Sequence, residues 1–423
     1  MKTRIIYASI VFVVIVVLSI YYEDLKLVGE RERANPIQET ERLPGLSLQA
    51  KISDKQFTVE KFVTGLDRPT SMTFIGNDLI ILEKNSGKVR LVRNGILQQE
   101  PILDVEVNSL NERGLLGITT VDSHVYLYFT KAEHDGGPPL GNYIYKYTWD
   151  GEQLSDPVLV NKLPSLNSIH NGGVMTSDKN GNVFAVVGDQ TLLHLPQEEY
   201  RILQNVPHGN VDDTGIILRV GVNNSEIIPA LSQEPFDHYY AIGIRNSFGL
   251  TIDPVTGNLW DTENGEDDFD EINLVLPKFN SGWVIAMGPA TAEQLSKITP
   301  SENYTYSNPE FSWEKPVAPT GLIFVTSDKF QKYKNDLLVS DCNLGNIYRF
   351  KLNQERTEFV FDDPALADLI VNKITRDGKE MGESMDKILF GTGFGCITDL
   401  DFGPDGFLYV ASISDGSVYR IIT

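Results

Sequence analysis

From Thr398 to Ile421 the chain reads TDLDFGPDGFLYVASISDGSVYRI: an apolar run, the tight turn Pro404-Asp405-Gly406, a second run of β-branched and aromatic residues, then a polar gap. The same unit recurs upstream as MTFIGNDLIILEKNSGKVRLV (72–92), GGVMTSDKNGNVFAVVGD (172–189) and FGLTIDPVTGNLWDTENG (248–265), and more loosely at 114–130 and 320–341. Gly, Asn and Asp in the gaps, as in Gly76-Asn77-Asp78 and Asn180-Gly181-Asn182, supply the tight bends that reversing strands need. The runs themselves favour pleated, half-buried strands over helices. One such unit cannot bury its own apolar face and must stack on its neighbours. About six units of four short strands predict an all-β fold, a six-bladed β-propeller over residues 58–423. A two-sheet sandwich with the same spacing is the competing arrangement, and recurrence along the whole chain argues against it.

The amino terminus answers a different question. Lys2 and Arg4 precede the apolar run Ile5 to Tyr22, and Glu23 and Asp24 follow it. That length suits a transmembrane helix. Positive charge on the near side predicts a cytoplasmic start and a propeller on the extracytoplasmic side. A cleaved signal peptide is the alternative for residues 1–24, although no small-residue cleavage motif follows. Residues 25–57 are polar, mixed in charge and without strand period, and read as a tether.

Hydrophobic residues make up 41% of the 423, which suffices for a large core. The formal net charge of −22, from 36 basic and 58 acidic side chains, argues against nucleic acid as a partner, because phosphates must be met by Lys and Arg. An acidic surface suits calcium, or serves only solubility.

Two constellations carry chemistry. His170 stands before the pair Gly172-Gly173, and one strand later Asp189 follows Gly188. In adjacent strands the two side chains would pair, which fixes the imidazole tautomer and raises its basicity. A structural histidine is the other reading. Farther on, Arg245 and Asn246 enter a strand whose partner runs out through Glu263, Asn264, Gly265, Glu266, Asp267, Asp268, Phe269, Asp270 and Glu271. Carboxylates at that density repel one another unless a cation is present. Calcium takes about six to eight oxygens, which such a loop can supply. The alternative is a solvated acidic loop.

Taken in order, Arg113-Gly114-Leu115-Leu116-Gly117, His170-Asn171-Gly172-Gly173, Gly188-Asp189-Gln190, Arg245-Asn246, Glu263-Asn264-Gly265, Asp270-Glu271-Ile272-Asn273, Gly282-Trp283, Ala318-Pro319-Thr320-Gly321-Leu322 and Pro404-Asp405-Gly406 resemble the soluble quinoprotein glucose dehydrogenase family, the glucose/sorbosone dehydrogenases. The similarity covers roughly residues 58–423. It implies a propeller that binds pyrroloquinoline quinone (PQQ) and calcium at its central mouth and oxidises an aldose at its anomeric carbon to the lactone, passing electrons to an acceptor. By resemblance His170 is the base, Asp189 its orienting carboxylate and Arg245 the arginine beside the reacting centre. Asn246 and Arg113 stand among the cofactor contacts. Gly265 and Glu266 would offer main-chain carbonyls to the catalytic calcium, and Asp270 and Glu271 would ligate a structural one.

The pattern is broken where the family places cations against the quinone's carboxylates. This chain has Asn343 in place of a lysine, and Cys396 and Thr398 in place of an arginine pair before Asp399. PQQ is a tricarboxylate, so these losses remove charge-assisted bonds. The only two cysteines, Cys342 and Cys396, lie in the altered loops. They read as a disulfide between the last two blades, or as two free thiols. Two classes of function follow. One is a membrane-anchored PQQ-dependent aldose dehydrogenase. The other is a non-catalytic, calcium-binding propeller for a carbohydrate or protein partner.

Overall fold

The repeat units become sheets because each pairs its own consecutive strands. In the computed structural model, residues 49–190, 202–206, 211–220, 238–298, 304–371, 374–376, 379–381 and 385–423 are described. Six of the sheets among them have four or more strands, and a two-stranded ribbon joins Ile374–Arg376 to Lys379–Met381. The first strands of the six sheets are, in chain order, Pro69–Ile75, Leu115–Val121, Met175–Ser177, Ser247–Ile252, Pro319–Phe324 and Ile397–Phe402. Each packs against the next, and the last packs against the first, so the six form a closed ring. This is an all-β propeller.

Ring closure is made by the chain's two ends. The strand Thr58–Thr64 pairs antiparallel with Ser417–Ile422, Thr58 opposite Ile422. One sheet therefore contains both an early and a late segment, and opening it means breaking a ladder rather than sliding two surfaces apart. Side-chain bonds tie neighbouring sheets at the channel. Thr70 Oγ1 donates to Leu115 O at 2.8 Å, Thr262 Oγ1 to Thr320 O at 2.8 Å, Thr320 Oγ1 to Ile397 O at 2.8 Å and Thr398 Oγ1 to Pro69 O at 3.0 Å. Asp399 adds a carboxylate to the last of these joints, accepting from Ser71 Oγ at 2.8 Å and Met72 N at 2.7 Å.

The core is divided as the repeat demands. Six apolar clusters fill the six spaces between successive sheets. The bulkiest lies between the fourth and fifth, where Trp260, Phe311 and Trp313 meet Phe324, Tyr348 and Phe350. No blade has a core of its own, which is why stacking rather than local propensity supplies the stability.

Two expectations about the N-terminal segment need comment. The sequence predicts a tether over 25–57, but Lys51–Ile52 forms the edge strand of the fifth sheet, paired with Leu389–Thr392. Ile52 and Phe57 are buried there, Phe57 stacked on Phe330 at 4.5 Å. Two apolar residues five apart carry too little periodicity to be read as part of a domain. The expected membrane helix, residues 1–24, lies outside the described residues. Among those that are described, no helix is long and apolar enough to cross a membrane.

Candidate active site

The chain stretches singled out in the sequence meet at the channel end of the third and fourth sheets. His170 is delivered by the segment before Met175–Ser177, in a left-handed backbone conformation (φ 54°). The chain can turn there because Gly172 and Gly173, at φ 66° and 105°, follow it. A β-carbon on Gly172 would lie 2.6 Å from Val186 O, so no larger residue passes without moving the neighbouring strand. Asp189 lies just past the strand Val183–Val187, fully buried, and its Oδ1 is 2.6 Å from His170 Nδ1. Since the partner is a carboxylate, Nδ1 carries the proton and Nε2 presents its lone pair. Nε2 has no protein partner among the described residues.

Arg245 reaches the same place from the fourth sheet. Its main-chain carbonyl accepts from Asp189 N at 2.8 Å, its Nη1 donates to Asn264 O at 2.7 Å, and its guanidinium lies 5.3 Å from the centre of the Trp283 ring. Beneath it Glu263 accepts from Arg245 N at 2.6 Å with one oxygen and from Ser281 Oγ at 2.6 Å with the other. Burial pushes Glu263 up to about 7, against the pull of these hydrogen bonds. Two buried atoms nearby have no hydrogen-bond partner, the donor Arg245 Nε and the acceptor Asn246 Oδ1.

Two members of the site, and a buried lysine whose charge acts on Glu112, escaped the sequence reading. Glu112 sits one residue before the noted Arg113, and its Oε2 accepts from His170 N at 2.6 Å and from Asn246 Nδ2 at 3.1 Å. It thus stitches the second, third and fourth sheets together under the histidine. Trp283, noted only as half of a Gly-Trp pair, donates from Nε1 to Asp189 Oδ2 at 2.6 Å. Lys84 is buried at the end of Asp78–Glu83, with Nζ donating to Ser109 O at 3.0 Å, and burial holds it down at about 8. Position next to a recognised motif was the only signal for Glu112 and Trp283. Lys84 had none.

The proposed metal ligands do not converge. Asp270 Oδ1 accepts from Gly265 N at 2.9 Å, and its Oδ2 accepts from Val317 N at 2.6 Å and Ala318 N at 2.8 Å. Glu271 accepts from Gly288 N and, at 3.3 Å, from Asn273 Nδ2. Consecutive residues of the strand Asp270–Val275 point to opposite faces of the sheet. One ion therefore cannot take both carboxylates, and each is engaged by main-chain amides instead. Asp268 pairs with Lys315 at 2.5 Å, and Glu266 is half-buried. Among the described residues no three His, Cys, Asp or Glu side chains come together to hold a metal. Asp270 and Glu271 therefore do not fit one shared calcium site.

The quinone clamp does not fit either. Asn343 is exposed and donates to Pro316 O at 3.4 Å, while Thr398 spends its hydroxyl on Pro69 O. Cys396 is joined to Cys342 in a disulfide. Arg113 is turned to Ser165, donating to its Oγ at 3.0 Å and its carbonyl at 3.2 Å. Three neutral side chains and an engaged guanidinium give a tricarboxylate little to bind.

Comparison with known proteins bears on the rest of the chain. A family model described as glucose/sorbosone dehydrogenase matches residues 66–420. The aldose sugar dehydrogenase of Escherichia coli (strain K12) is 22% identical over 383 residues, covering 86% of this chain and 92% of the relative. Quinoprotein glucose dehydrogenase B of Acinetobacter calcoaceticus is 26% identical over 260 residues, covering 55% and 54%. Among solved structures, the soluble aldose sugar dehydrogenase from Escherichia coli in its apo form superposes with a TM-score of 0.66 at 21% identity, over 86% of this chain and 99% of that one. The PQQ-bound aldose sugar dehydrogenase from Streptomyces coelicolor gives 0.57 at 20% identity, over 86% and 98%. At those identities the structures share the propeller fold with this chain.

Proposed function

The chain belongs to the glucose/sorbosone dehydrogenase family, and from that premise we propose that it oxidises an aldose at the anomeric carbon to the lactone. The observation that carries this is the Asp189–His170 pair, with Nε2 unpartnered on the channel side of a buried carboxylate. In the proposed reaction Nε2 takes the anomeric hydroxyl proton while the hydrogen on carbon leaves as hydride to an acceptor of the quinone class. Asp189 stabilises the imidazolium that forms. Arg245 supplies positive charge where the oxygen develops its negative charge.

PQQ is the group named for the relative from Streptomyces coelicolor, but the clamp positions here do not fit it, so no residue of this chain is assigned to hold it. We count each sheet of four or more strands as one blade, giving six. We also place the propeller outside the cytoplasm behind an N-terminal anchor, a reading supported by Lys2 and Arg4 before the apolar run and by the disulfide, which persists in oxidising compartments.

The test is aldose-dependent reduction of an artificial electron acceptor by the full chain, with PQQ and calcium titrated to millimolar concentration. Turnover that saturates with sugar supports the proposal. If neither turnover nor quinone binding is found at millimolar quinone, the chain is instead a propeller that kept the fold and binds a carbohydrate or protein partner without redox chemistry.

A further inference from the structure

The Gly282-Trp283 pair has no part in the reaction above, yet Trp283 touches both Asp189, the histidine's carboxylate partner, and Arg245. Its indole presents two different surfaces to them. The N–H edge donates to Asp189 Oδ2 at 2.6 Å, while Asp189 Oδ1 faces His170 Nδ1. The ring face carries the Arg245 guanidinium 5.3 Å from its centre. The indole is itself anchored by its main chain. Trp283 N donates to Gly243 O at 3.1 Å, and Trp283 O accepts from Asn205 Nδ2 at 2.7 Å. Asn280, fully buried, fixes the preceding Gly282 through its amide at 3.0 Å.

This arrangement solves a specific electrostatic problem. Asp189 and Arg245 are joined main chain to main chain at 2.8 Å, so their side chains start from neighbouring positions. A buried carboxylate and a guanidinium within reach of each other form a bidentate ion pair when nothing intervenes. Such a pair would take Asp189 away from the imidazole. Among the described residues Arg245 Nε has no hydrogen-bond partner. The stacked ring offers the guanidinium a competing cation–π contact, and the ring N–H occupies the carboxylate oxygen that His170 leaves over.

We propose that Trp283 is the positioning residue of the Asp189–His170 pair: its N–H fixes the carboxylate on the imidazole, and its ring face keeps the Arg245 guanidinium from capturing that carboxylate. The inference rests on the proposed function only in treating the pair as a base. The hydrogen bonds it concerns exist without sugar, quinone or turnover.

The experiment is proton NMR of the full chain labelled with ¹⁵N-histidine, following the hydrogen-bonded imidazole Nδ1–H resonance. His170→Ala assigns it by its disappearance. In Trp283→Leu the resonance moves upfield and its exchange with water speeds up about tenfold. Adding Arg245→Met to that variant returns it toward the wild-type position, because the competing cation is gone. Trp283→Phe, which keeps the ring face and loses the N–H, falls between wild type and Trp283→Leu. An unchanged resonance in folded Trp283→Leu overturns the proposal. So does an unchanged resonance in Trp283→Phe, the decisive variant if leucine prevents folding. A double variant that behaves like Trp283→Leu alone overturns the claim about Arg245. An enzyme with no activity would leave these spectra as they are, so failure of the functional reading and failure of this one are distinguishable.

Discussion

Replacing His170 by alanine removes the imidazole while leaving the glycine pair, Glu112 and Asp189 in place. A general base contributes about 10²–10⁴-fold to rate. His170→Ala is therefore expected to lower kcat by that factor and also to lower the melting temperature, because Asp189 Oδ1 loses its buried partner; turnover within a few-fold of wild type would remove the histidine from the mechanism. Asp189→Asn tests the orienting carboxylate. The asparagine presents either its oxygen or its amide to Nδ1, so the tautomer is no longer fixed, and kcat is expected to fall with little change in KM. An equal rise in KM would mean that Asp189 serves sugar binding instead. At this scale the sequence was informative where chemistry and backbone demand coincide, as at His170 before two glycines. It was silent on the roles of Glu112 and Trp283. These roles come from partners 58 and 94 residues away along the chain, and locally only a place in or beside a recognised motif marks either residue.

The acidic stretch from Glu263 to Glu271 shows how an element redirects its residues. Read as composition it is a cation site; in the structure it is a turn between two strands, and Asp270 and Glu271, which open the second, face opposite ways. Asp270 becomes the clasp of its own blade, taking three main-chain N–H groups from Gly265, Val317 and Ala318. Asp270→Asn keeps the shape but turns an NH₂ toward at least one of those donors. Leaving a buried amide unsatisfied costs roughly 1–3 kcal/mol. The denaturation midpoint should fall accordingly, with an unchanged denaturant slope if only stability is affected. A midpoint equal to wild type would show that the carboxylate is not the clasp. Strand identity itself was legible, since turn residues and β-branched runs recur at each blade. Which carboxylate faced inward was not, because that depends on the register of Asp270–Val275 against its neighbours Leu259–Glu263 and Phe311–Trp313.

For the whole molecule the buried carboxylates set an unusual pH dependence. Burial is the first cause that raises Asp270, Asp341 and Asp399, each to about 6, and Glu263 to about 7. Each therefore binds its proton more tightly folded than unfolded. Between about pH 4 and pH 7 the native state holds more protons, and stability falls as pH rises through that window. Each tenfold difference in proton affinity is about 1.4 kcal/mol, so the melting temperature is expected to be higher at pH 5 than at pH 7. Asp54 behaves oppositely, since bonds from Lys332 and Tyr333 hold it down at about 2, and its contribution is lost only below about pH 4. A melting temperature that drops steadily from pH 7 to pH 5 would contradict this account. By itself the sequence determined that the chain is an all-β repeat, that its units must stack, and that a histidine and an aspartate end neighbouring strands, because turn chemistry, strand periodicity and chain order are local properties. Only the tertiary structure decided that Lys51–Ile52 belongs to the fifth sheet, that Thr398 ties the ring rather than a ligand, that Asp270 and Glu271 part company, and that an indole stands between Asp189 and Arg245. Those outcomes depend on which distant segments the closed ring brings within hydrogen-bonding distance, and no local pattern encodes that.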